Sequence, residues 1–293
     1  MNKILITGST GFIGKHLTEN LLGNKGKIYA LIRKSKKNYL YCSKIKKKYK
    51  NFFPIFFNKN EELAKKITNL KPKIFINLAT KYMTFPNIKE MPSVINSNLE
   101  FPSLILKILN DKNKIKFINI CSIMQCDNSQ IDNPLNFYAL TKILFKKTLK
   151  YYQKFYPKNI FINLYIGDTY GKSDTRNKIL PIIIKNFKKN KKTTIVTKKL
   201  NLDILHVQDV INGIKILIKS VKKSNDFYIK PKKKINLYKI IHTYNLNNTK
   251  KIKILWQNKI NNTILNIKLK SVPAWKQKFD VVKMFYKDLN ENH

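Results

Sequence analysis

The sequence predicts an α/β fold built on a doubly wound parallel sheet. Three observations support this fold class. A glycine-rich turn joins the first apolar run to the first helical pattern, short apolar runs alternate with helical patterns as far as residue 164, and 293 residues are enough for a full core. Alternation of strand and helix is typical of parallel sheets with right-handed crossovers, whose ligands bind beyond the carboxyl ends of the strands.

The glycine-rich turn follows an apolar run at residues 4–6 and precedes a helical pattern. Gly8 allows a sharp turn off the strand, Gly11 allows a pyrophosphate to approach the backbone, and Gly14 allows the helix to pack closely on the sheet. Free N–H groups and the helix dipole then attract the anion. The turn therefore predicts a dinucleotide site of the Rossmann type, made by Gly8, Ser9, Thr10, Gly11, Phe12, Ile13 and Gly14.

The second strand, predicted at 27–32, ends at a basic residue, Arg33, and more lysines follow at 34, 36 and 37. A site selective for NAD usually has a carboxylate here, which accepts hydrogen bonds from the ribose hydroxyls. An arginine instead suits a 2′-phosphate, which it can bind with two donors. We therefore expect NADP(H) to be preferred over NAD(H), the alternative being that these residues form a solvated basic loop.

The alternation continues through the next elements. Residues 44–50 are predicted to be a basic linker, 52–57 the third strand, 61–70 a helix, 73–78 the fourth strand, 94–110 a long helix and 115–121 the fifth strand. Asn58 follows the third strand, where an adenine edge can be recognised, and Leu78, Ala79 and Thr80 are expected to line the nicotinamide ribose. Lys81 opens a loop with two prolines, and loops at this end of a parallel strand contact substrate.

Three residues in the middle of the chain carry the predicted chemistry. Ser122 follows the fifth strand directly, and Tyr138 and Lys142 are four residues apart at the start of a helix predicted to run to about residue 155. Spacing of four places the phenol and the ammonium on one helix face. A nearby cation is expected to lower the pKa of the phenol. Tyr138 would then exchange a proton with a carbonyl or hydroxyl oxygen while Ser122 donates a second hydrogen bond.

These residues together resemble the extended short-chain dehydrogenases/reductases, in the branch of NAD(P)-dependent nucleotide-sugar epimerases, dehydratases and 4-ketoreductases. The resemblance rests on residues 7–14, 77–80, Asn98, Ser122, Tyr138 with Lys142, 168–171 and 205–210, which follow the order of the family's motifs. It implies a Rossmann core at 1–165, to which 200–220 returns, and a small sugar-nucleotide-binding lobe mainly at 166–293. It also implies that Tyr138 is the catalytic acid/base, that Lys142 also holds the nicotinamide ribose, and that the protein is a homodimer.

Departures from the family's pattern narrow the reaction. The 4,6-dehydratases have an Asp-Glu pair after the strand-end hydroxyl, where this chain has Ile123 and Met124. Met124 also occupies the position of the cysteine that epimerase-reductases need, and Cys126 is two residues too far along. The reactions that remain are those that only transfer a hydride at one carbon of the sugar. The sequence most resembles the 4-ketoreductases that use NADPH to reduce 4-keto-6-deoxyhexoses in surface polysaccharide synthesis, and the alternative is a 4-epimerase with tightly bound cofactor.

The second half contains the predicted substrate contacts. The sixth strand is predicted at 159–164, followed by a loop at 167–177. Asp168 stands where the family often has an asparagine near the nicotinamide and the sugar, and Arg176 and Lys178 are candidates for the substrate diphosphate, because Leu202 replaces the family's arginine. Further elements are predicted at 179–190, 193–197, 210–220, 226–229, 235–244 and 251–256, with Asp209 capping the helix at 210–220 and His206 packed rather than catalytic.

The charge of the chain is its most unusual property. Fifty-nine Lys and Arg residues against sixteen Asp and Glu residues give a formal net charge of +43. The excess is mostly lysine and accompanies abundant Asn and Ile along the whole chain, a composition that an AT-rich genome produces without selection. A non-catalytic RNA-binding or anionic-surface-binding protein on the same fold is the alternative. Three cysteines without metal-ligand spacing, no apolar run of membrane-spanning length and no signal peptide predict a cytoplasmic enzyme without a metal.

Overall fold

A computed structural model describes residues 3–59, 61–110, 114–127, 130–257 and 267–291. In chain order its elements are β1 (Lys3–Thr7), α1 (Phe12–Gly23), β2 (Lys27–Arg33), α2 (Lys36–Lys48), β3 (Phe52–Phe57), α3 (Glu61–Ile67), β4 (Ile74–Asn77), α4 (Met91–Ile95), α5 (Phe101–Asn110), β5 (Lys116–Ser122), β6 (Cys126–Asp127), β7 (Gln130–Ile131), α6 (Phe137–Phe155), β8 (Ile160–Ile166), β9 (Asp168–Tyr170), α7 (Ile179–Lys188), β10 (Thr193–Ile195), β11 (Asn201–Leu202), β12 (Ile204–His206), α8 (Val207–Ser220), β13 (Asn225–Ile229), β14 (Ile235–Asn236), α9 (Leu237–Asn247), β15 (Ile254–Trp256), β16 (Lys270–Ser271) and α10 (Val281–Asn290).

The central sheet confirms the predicted fold class. Its eight strands have the order β16-β13-β8-β5-β4-β1-β2-β3, and every neighbouring pair is parallel. Side chains alternate between the two faces: Ile4 and Ile6 pack with α1 and α8, whereas Leu5 packs with α3, α5 and α6 on the other side. Both faces are therefore buried, which explains why the central strands are apolar nearly throughout.

One level of this apolar sheet is polar. Thr7, Asn77, Asn119, Asn163 and Asp226 lie opposite one another on five adjacent strands. Their side chains form a continuous row of hydrogen bonds: Thr7 to Asn77 (2.8 Å), Asn77 to Asn119 (3.1 Å), Asn119 to Asn163 (3.0 Å) and Asn163 to Asp226 (2.8 Å). We call these five residues the amide ladder. Because each amide both donates and accepts, these polar groups are satisfied without water.

The ladder ends at a buried cation on the helix that carries Tyr138. The ammonium of Lys146 lies 3.7 Å from the Asp226 carboxylate and 2.6 Å from that of Asp132, and it donates a hydrogen bond of 2.9 Å to the hydroxyl of Tyr165. Lys146 is 3% exposed, so these partners balance a charge that burial would otherwise destabilise strongly. The amide ladder therefore runs from Thr7, which precedes Gly8, to Asp226, which contacts the buried Lys146 of α6.

A second hydrophobic core builds the smaller lobe. It includes Leu180 and Ile183 of α7, Leu237 and Ile241 of α9, and Phe285 of α10. The strand pairs β10–β15 and β11–β14 complete this lobe, whereas α8 packs on α1 against the central sheet. Helices were predicted at 179–190 and 235–244, where α7 and α9 lie, but α10 was not predicted.

Two predictions about secondary structure need correction. The predicted basic linker at 44–50 is largely helical, because α2 runs from Lys36 to Lys48. Ser35 caps its first turn, and Cys42 and Ile45 bury one narrow face while the lysines remain in solvent, where they favour a helix. The single helix predicted at 94–110 is interrupted at Asn96–Glu100, where one π-helical turn joins α4 to α5.

Candidate active site

A cleft with a volume of about 1020 Å³ lies at the carboxyl ends of the sheet strands and extends to β9 and β11 of the lobe. Its volume is at the upper end of the range for ligand sites, so it has room for a large ligand. The structure brings most of the predicted site residues to this cleft. They are Gly8, Thr10, Gly11, Phe12, Ile13, Gly14, Arg33, Leu78, Ala79, Thr80, Lys81, Ser122, Tyr138, Lys142, Asp168, Arg176 and Lys178.

Two predicted cofactor-binding residues do not reach the cleft. Ser9 is 1% exposed and faces the protein interior, and Asn58 is exposed beyond the end of β3. Neither is among the residues that line the cleft. The contact of Asn58 with an adenine therefore stays a prediction.

The glycine turn has the geometry of a phosphate cradle. Gly8 has φ +72°, and a Cβ there would lie 2.6 Å from the backbone nitrogen of Ala79. A Cβ on Gly14 would lie 1.9 Å from the carbonyl oxygen of Gly8, so only glycine allows α1 to approach the turn. Gly11 is the N-cap of α1 and supplies no side-chain hydrogen bond to its first turn. The N–H groups of that turn are thus available to an anion, and the cradle fits a dinucleotide pyrophosphate.

The end of β4 is fixed to this turn by one side chain of the amide ladder. The hydroxyl oxygen of Thr7 accepts hydrogen bonds of 3.2 Å from the backbone N–H groups of both Leu78 and Ala79. Since Thr7 immediately precedes Gly8, residues 78–80 are held beside the phosphate cradle. The structure therefore joins two segments of the predicted cofactor site that are seventy residues apart.

Arg33 lies at the end of β2, on the rim of the cleft. One guanidinium nitrogen donates a hydrogen bond of 3.0 Å to the side-chain oxygen of Asn96. Asn38, which sequence analysis missed, donates to the carbonyl oxygen of Arg33 at 2.8 Å and also lines the cleft. Asn38 lies in α2, a helix that was not predicted, so no sequence signal pointed to it.

Ser122, Tyr138 and Lys142 all line this cleft. Ser122 Oγ accepts the N–H of Met124 at 3.2 Å, which leaves its hydroxyl hydrogen free to be donated to a ligand. Asn136 caps α6 by accepting the N–H of Ala139 at 3.0 Å, and this fixes the helical turn on which Tyr138 lies. The spacing of four residues places Lys142 one turn further along.

Burial dominates the electrostatics of this pair. Tyr138 is 9% exposed, and burial raises the pKa of its phenol, while a hydrogen bond with Thr80 acts in the opposite direction. Burial also lowers the pKa of the Lys142 ammonium. The expected lowering of the phenol pKa by Lys142 is therefore wrong for the protein without ligand, because burial, which disfavours the phenolate, is the largest influence on this pKa and raises it.

An aromatic side chain that sequence analysis missed forms a wall beside Tyr138. The ring of Tyr82 packs edge-on against that of Tyr138, with centroids 5.0 Å apart, and its hydroxyl approaches the sulfur of Met124 at 3.9 Å. The ammonium of Lys178 lies 4.7 Å from the centre of the Tyr82 ring and donates to the Asp168 carboxylate at 2.8 Å. The predicted substrate residues Asp168 and Lys178 thus lie next to the catalytic candidates.

Asn98 connects this wall to the helix of Tyr138. It is 2% exposed, and its side-chain oxygen accepts hydrogen bonds from the Thr80 hydroxyl (3.0 Å) and the Lys81 backbone N–H (2.7 Å). Its side-chain nitrogen donates to the Lys81 carbonyl and to the Thr141 hydroxyl of α6, both at 3.0 Å. Asn98 therefore fixes the loop after β4 relative to Tyr138, and it lies in the π-helical turn, a feature often found at functional sites.

Asp209 does not have the capping role predicted for it. Helix α8 begins at Val207 with His206 as its N-cap, and the fully buried Asp209 accepts the backbone N–H groups of Lys278 (2.9 Å) and Phe279 (3.0 Å). These donors lie seventy residues away, so local sequence did not reveal them. His206 is packed as predicted: its ring lies 4.5 Å from that of Phe279, and burial lowers its pKa.

Comparison with known proteins gives one family match. The model of the NAD dependent epimerase/dehydratase family matches residues 4–229. The chain is 28% identical to the CDP-abequose synthase of Yersinia pseudotuberculosis over 220 residues, which is 74% of each chain. It is 26% identical to that of Salmonella muenchen over 216 residues, 73% of this chain and 70% of the relative.

Solved structures share the fold over nearly the full length. The UDP-glucuronic acid 4-epimerase from Bacillus cereus, in complex with UDP-glucuronic acid and NAD, superposes with a TM-score of 0.82 at 18% identity and covers 98% of both chains. The dTDP-glucose 4,6-dehydratase from Bacillus anthracis, in complex with NAD, has a TM-score of 0.80 at 17% identity and covers 99% of this chain and 96% of its own.

Proposed function

The chain belongs to the NAD-dependent epimerase/dehydratase family and is an NAD(P)-dependent oxidoreductase or epimerase, and from that premise we propose that it reduces the 4-keto group of a nucleoside-diphosphate 4-keto-6-deoxyhexose with NADPH. The observation that carries the proposal is one continuous cleft. Its walls include the phosphate cradle, the Ser122 hydroxyl and the Tyr138 phenol. The identity to CDP-abequose synthases supports the same substrate class.

Each residue of the catalytic group has a definite task in this reaction. Reduced nicotinamide, when bound, would supply the hydride that adds to C4 of the sugar. Tyr138 donates a proton to the oxygen at C4 as negative charge develops there, and Ser122 donates a hydrogen bond to the same oxygen. Lys142, one helical turn from Tyr138, holds the nicotinamide ribose. No acidic side chain follows Ser122, since Ile123 and Met124 occupy those positions, and this absence argues against elimination of water.

The substrate is held by the groups beside Tyr82. Lys178 and Lys81 are the cations that we assign to the anionic part of the nucleotide sugar, and Asp168 is positioned by its 2.8 Å contact with Lys178 to accept a sugar hydroxyl. Leu202, which lines the cleft where many relatives have an arginine, supplies no charge. The lysines beside Tyr138 therefore replace that arginine in our assignment.

We also propose a preference for NADP(H). Arg33 lies at the end of β2 and lines the cleft, and no carboxylate follows it in the chain before residue 61. Arg33→Ala is expected to raise the Kd for NADPH about tenfold or more and to leave that for NADH within about twofold, because only NADPH carries the 2′-phosphate. Equal losses for the two cofactors in a fluorescence titration would contradict the preference.

Turnover of Tyr138→Phe tests the catalytic assignment. Loss of a positioned general acid typically lowers the rate about 10²- to 10⁴-fold. The Kd for NADPH should change little. Tyr39→Phe is the control, since Tyr39 is 46% exposed and does not line the cleft. Consumption of NADPH is followed with a panel of 4-keto-6-deoxy nucleotide sugars, and wild-type turnover by Tyr138→Phe would refute the role of the phenol.

A 4-epimerase is the second candidate, because the same three residues suffice to remove a hydride at C4 and return it. An epimerase would be purified with tightly bound oxidised cofactor and would interconvert 4-epimers without added reductant. An absorbance spectrum of the purified protein and a product analysis without NADPH distinguish the two reactions. NADPH consumption in proportion to product favours the reductase, and epimer exchange without it favours the epimerase.

We further propose a cytoplasmic homodimer that supplies deoxysugars for surface polysaccharide. Support for the dimer comes from one face of α6, where Leu140, Leu144, Tyr151 and Phe155 are 38% to 62% exposed at helical spacing. Light scattering after size exclusion should give a dimer for the wild type and a monomer for Leu144→Glu. Leu246→Glu, at a 70% exposed residue of α9, should remain a dimer, and a monomeric wild type would refute this proposal.

A further inference from the structure

Arg176 is held rigidly by its own lobe. It lies in the loop between β9 and α7, where its Nε donates to Asp174 Oδ1 at 2.8 Å and its Nη2 to Asp174 Oδ2 at 2.7 Å. Nη2 also donates to the carbonyl oxygen (2.6 Å) and the hydroxyl (3.0 Å) of Thr169. The Asp174 side chain is 1% exposed, so this carboxylate fixes the plane of the guanidinium.

The fixed guanidinium lies over the ring of Phe12, a residue of the predicted phosphate cradle. Its central carbon is 4.1 Å from the centre of the Phe12 ring, and Phe12 is the first residue of α1. Both residues line the cleft, and the Arg176 side chain keeps 32% of its surface exposed. Among the described residues, none accepts a hydrogen bond from Nη1, the third nitrogen of the group. One edge of the guanidinium is thus free to bind a ligand.

The charge at this position is unfavourable without a ligand. The amino-terminal end of a helix carries partial positive charge, so a cation beside it is destabilising. Asp174 compensates on one side of the guanidinium, and its carboxylate is buried. An anion between the first turn of α1 and Arg176 would be attracted by both. The phosphate cradle and the free edge of the guanidinium therefore point to the same anionic group.

We propose that Arg176 binds the pyrophosphate of the dinucleotide cofactor rather than the diphosphate of the substrate. This inference rests on the proposed function and reassigns a residue that sequence analysis placed with the substrate. Asp174 and Thr169 are then positioning residues, because they act by fixing the guanidinium. As Arg176 belongs to the substrate lobe, cofactor binding fastens the loop at 171–178 across the cleft and prepares the lobe for the nucleotide sugar.

Binding measurements on Arg176→Met test this assignment. Methionine keeps much of the apolar stem that contacts Phe12 but has no donor. The Kd for NADPH, measured by fluorescence, should rise between tenfold and a hundredfold. ADP-ribose, which keeps the pyrophosphate and lacks the nicotinamide, should show the same loss. Nucleoside diphosphates such as CDP and dTDP, which represent the substrate, should bind the variant within threefold of the wild type. Lys172→Met, at an exposed lysine of the same loop, should leave all these values unchanged.

Other outcomes would overturn the inference in distinct ways. A rise in the Kd for CDP or dTDP with an unchanged Kd for NADPH would return Arg176 to the substrate site. Equal affinity of wild type and Arg176→Met for every ligand would show that the residue only fastens the loop. Arg176→Lys, which keeps the charge, covers the case in which the methionine variant does not fold, and its Kd for NADPH should rise at least threefold. If the wild type binds neither NADPH nor NADH, the proposed function itself fails, a result distinguishable from all the others.

Discussion

Replacing Asn119 with leucine would interrupt the amide ladder at its centre. Asn119 is fully buried, and its side chain accepts from Asn77 at 3.1 Å and donates to Asn163 at 3.0 Å. Leucine has a similar size but leaves one donor and one acceptor unpaired in the core. Each unpaired buried group costs about 1–3 kcal/mol, and burying an apolar side chain returns about 1–2 kcal/mol. We therefore expect the free energy of unfolding to fall by about 2–4 kcal/mol.

Denaturant unfolding and thermal unfolding both measure this loss. At about 2–4 °C per kcal/mol for a protein of this size, Tm should fall by about 5–15 °C. Asn247→Leu is the control, because Asn247 is an exposed residue that donates only to a carbonyl of its own helix. A further Asn163→Leu substitution should cost less in the Asn119→Leu background than alone, since the orphaned acceptor is then removed. A loss below about 0.5 kcal/mol, or one no larger than in the control, would refute the mutual dependence of these amides.

Three further predictions concern the cradle, the thiols and the lobe. Gly14→Ala should abolish NADPH binding in a fluorescence titration while Gly23→Ala does not, because a Cβ at residue 14 would lie 1.9 Å from a backbone oxygen and at residue 23 it meets nothing within 4 Å. Burial raises the pKa values of the Cys121 and Cys126 thiols to about 12 and about 11, so both should resist a thiol reagent at pH 8 until the protein is unfolded, and rapid labelling of the native protein would contradict their burial. Since these pKa values exceed those in the unfolded chain, the contribution of the two thiols to stability is complete below about pH 9 and falls as pH rises toward 12. Asp209→Ala should lower the free energy of unfolding by about 2–4 kcal/mol, because two partly buried backbone N–H groups lose a fully buried, charged acceptor, and a value below 1 kcal/mol by urea denaturation would show that water replaces the carboxylate.

Local sequence patterns predicted the fold well where the residues of a segment determine its secondary structure by themselves. The strand ends at Thr7, Asn77 and Ser122 were predicted within one or two residues, because each follows a short apolar run. Helix α2 was missed because only Cys42 and Ile45 are buried in it. Two buried residues among many lysines do not produce the helical periodicity of apolar residues on which the prediction depends.

The site was predictable where its chemistry lies in short motifs and not where it depends on distant contacts. The spacing of Tyr138 and Lys142, and that of the three glycines, can be recognised in the sequence itself. Tyr82 instead belongs to an irregular loop whose course depends on Asn98 and on α6. The amide ladder illustrates the same limit. A single asparagine in an apolar strand carries no signal, and the row exists only once the register of five strands is known.

The π-helical turn at Asn96–Glu100 separates two parts of one continuous helix that make different contacts. An ordinary α-helix advances about 100° per residue, so the wider turn shifts the phase between the residues before it and those after it. Within the turn, Asn98 bonds to the loop that borders the cleft, and after the turn Ile105 and Leu109 pack in the core. After deletion of one residue in this turn, the helix could keep either the core packing of α5 or the position of the Asn98 amide, but not both. Insertions and deletions in this stretch should therefore be far less tolerated than substitutions on its exposed side.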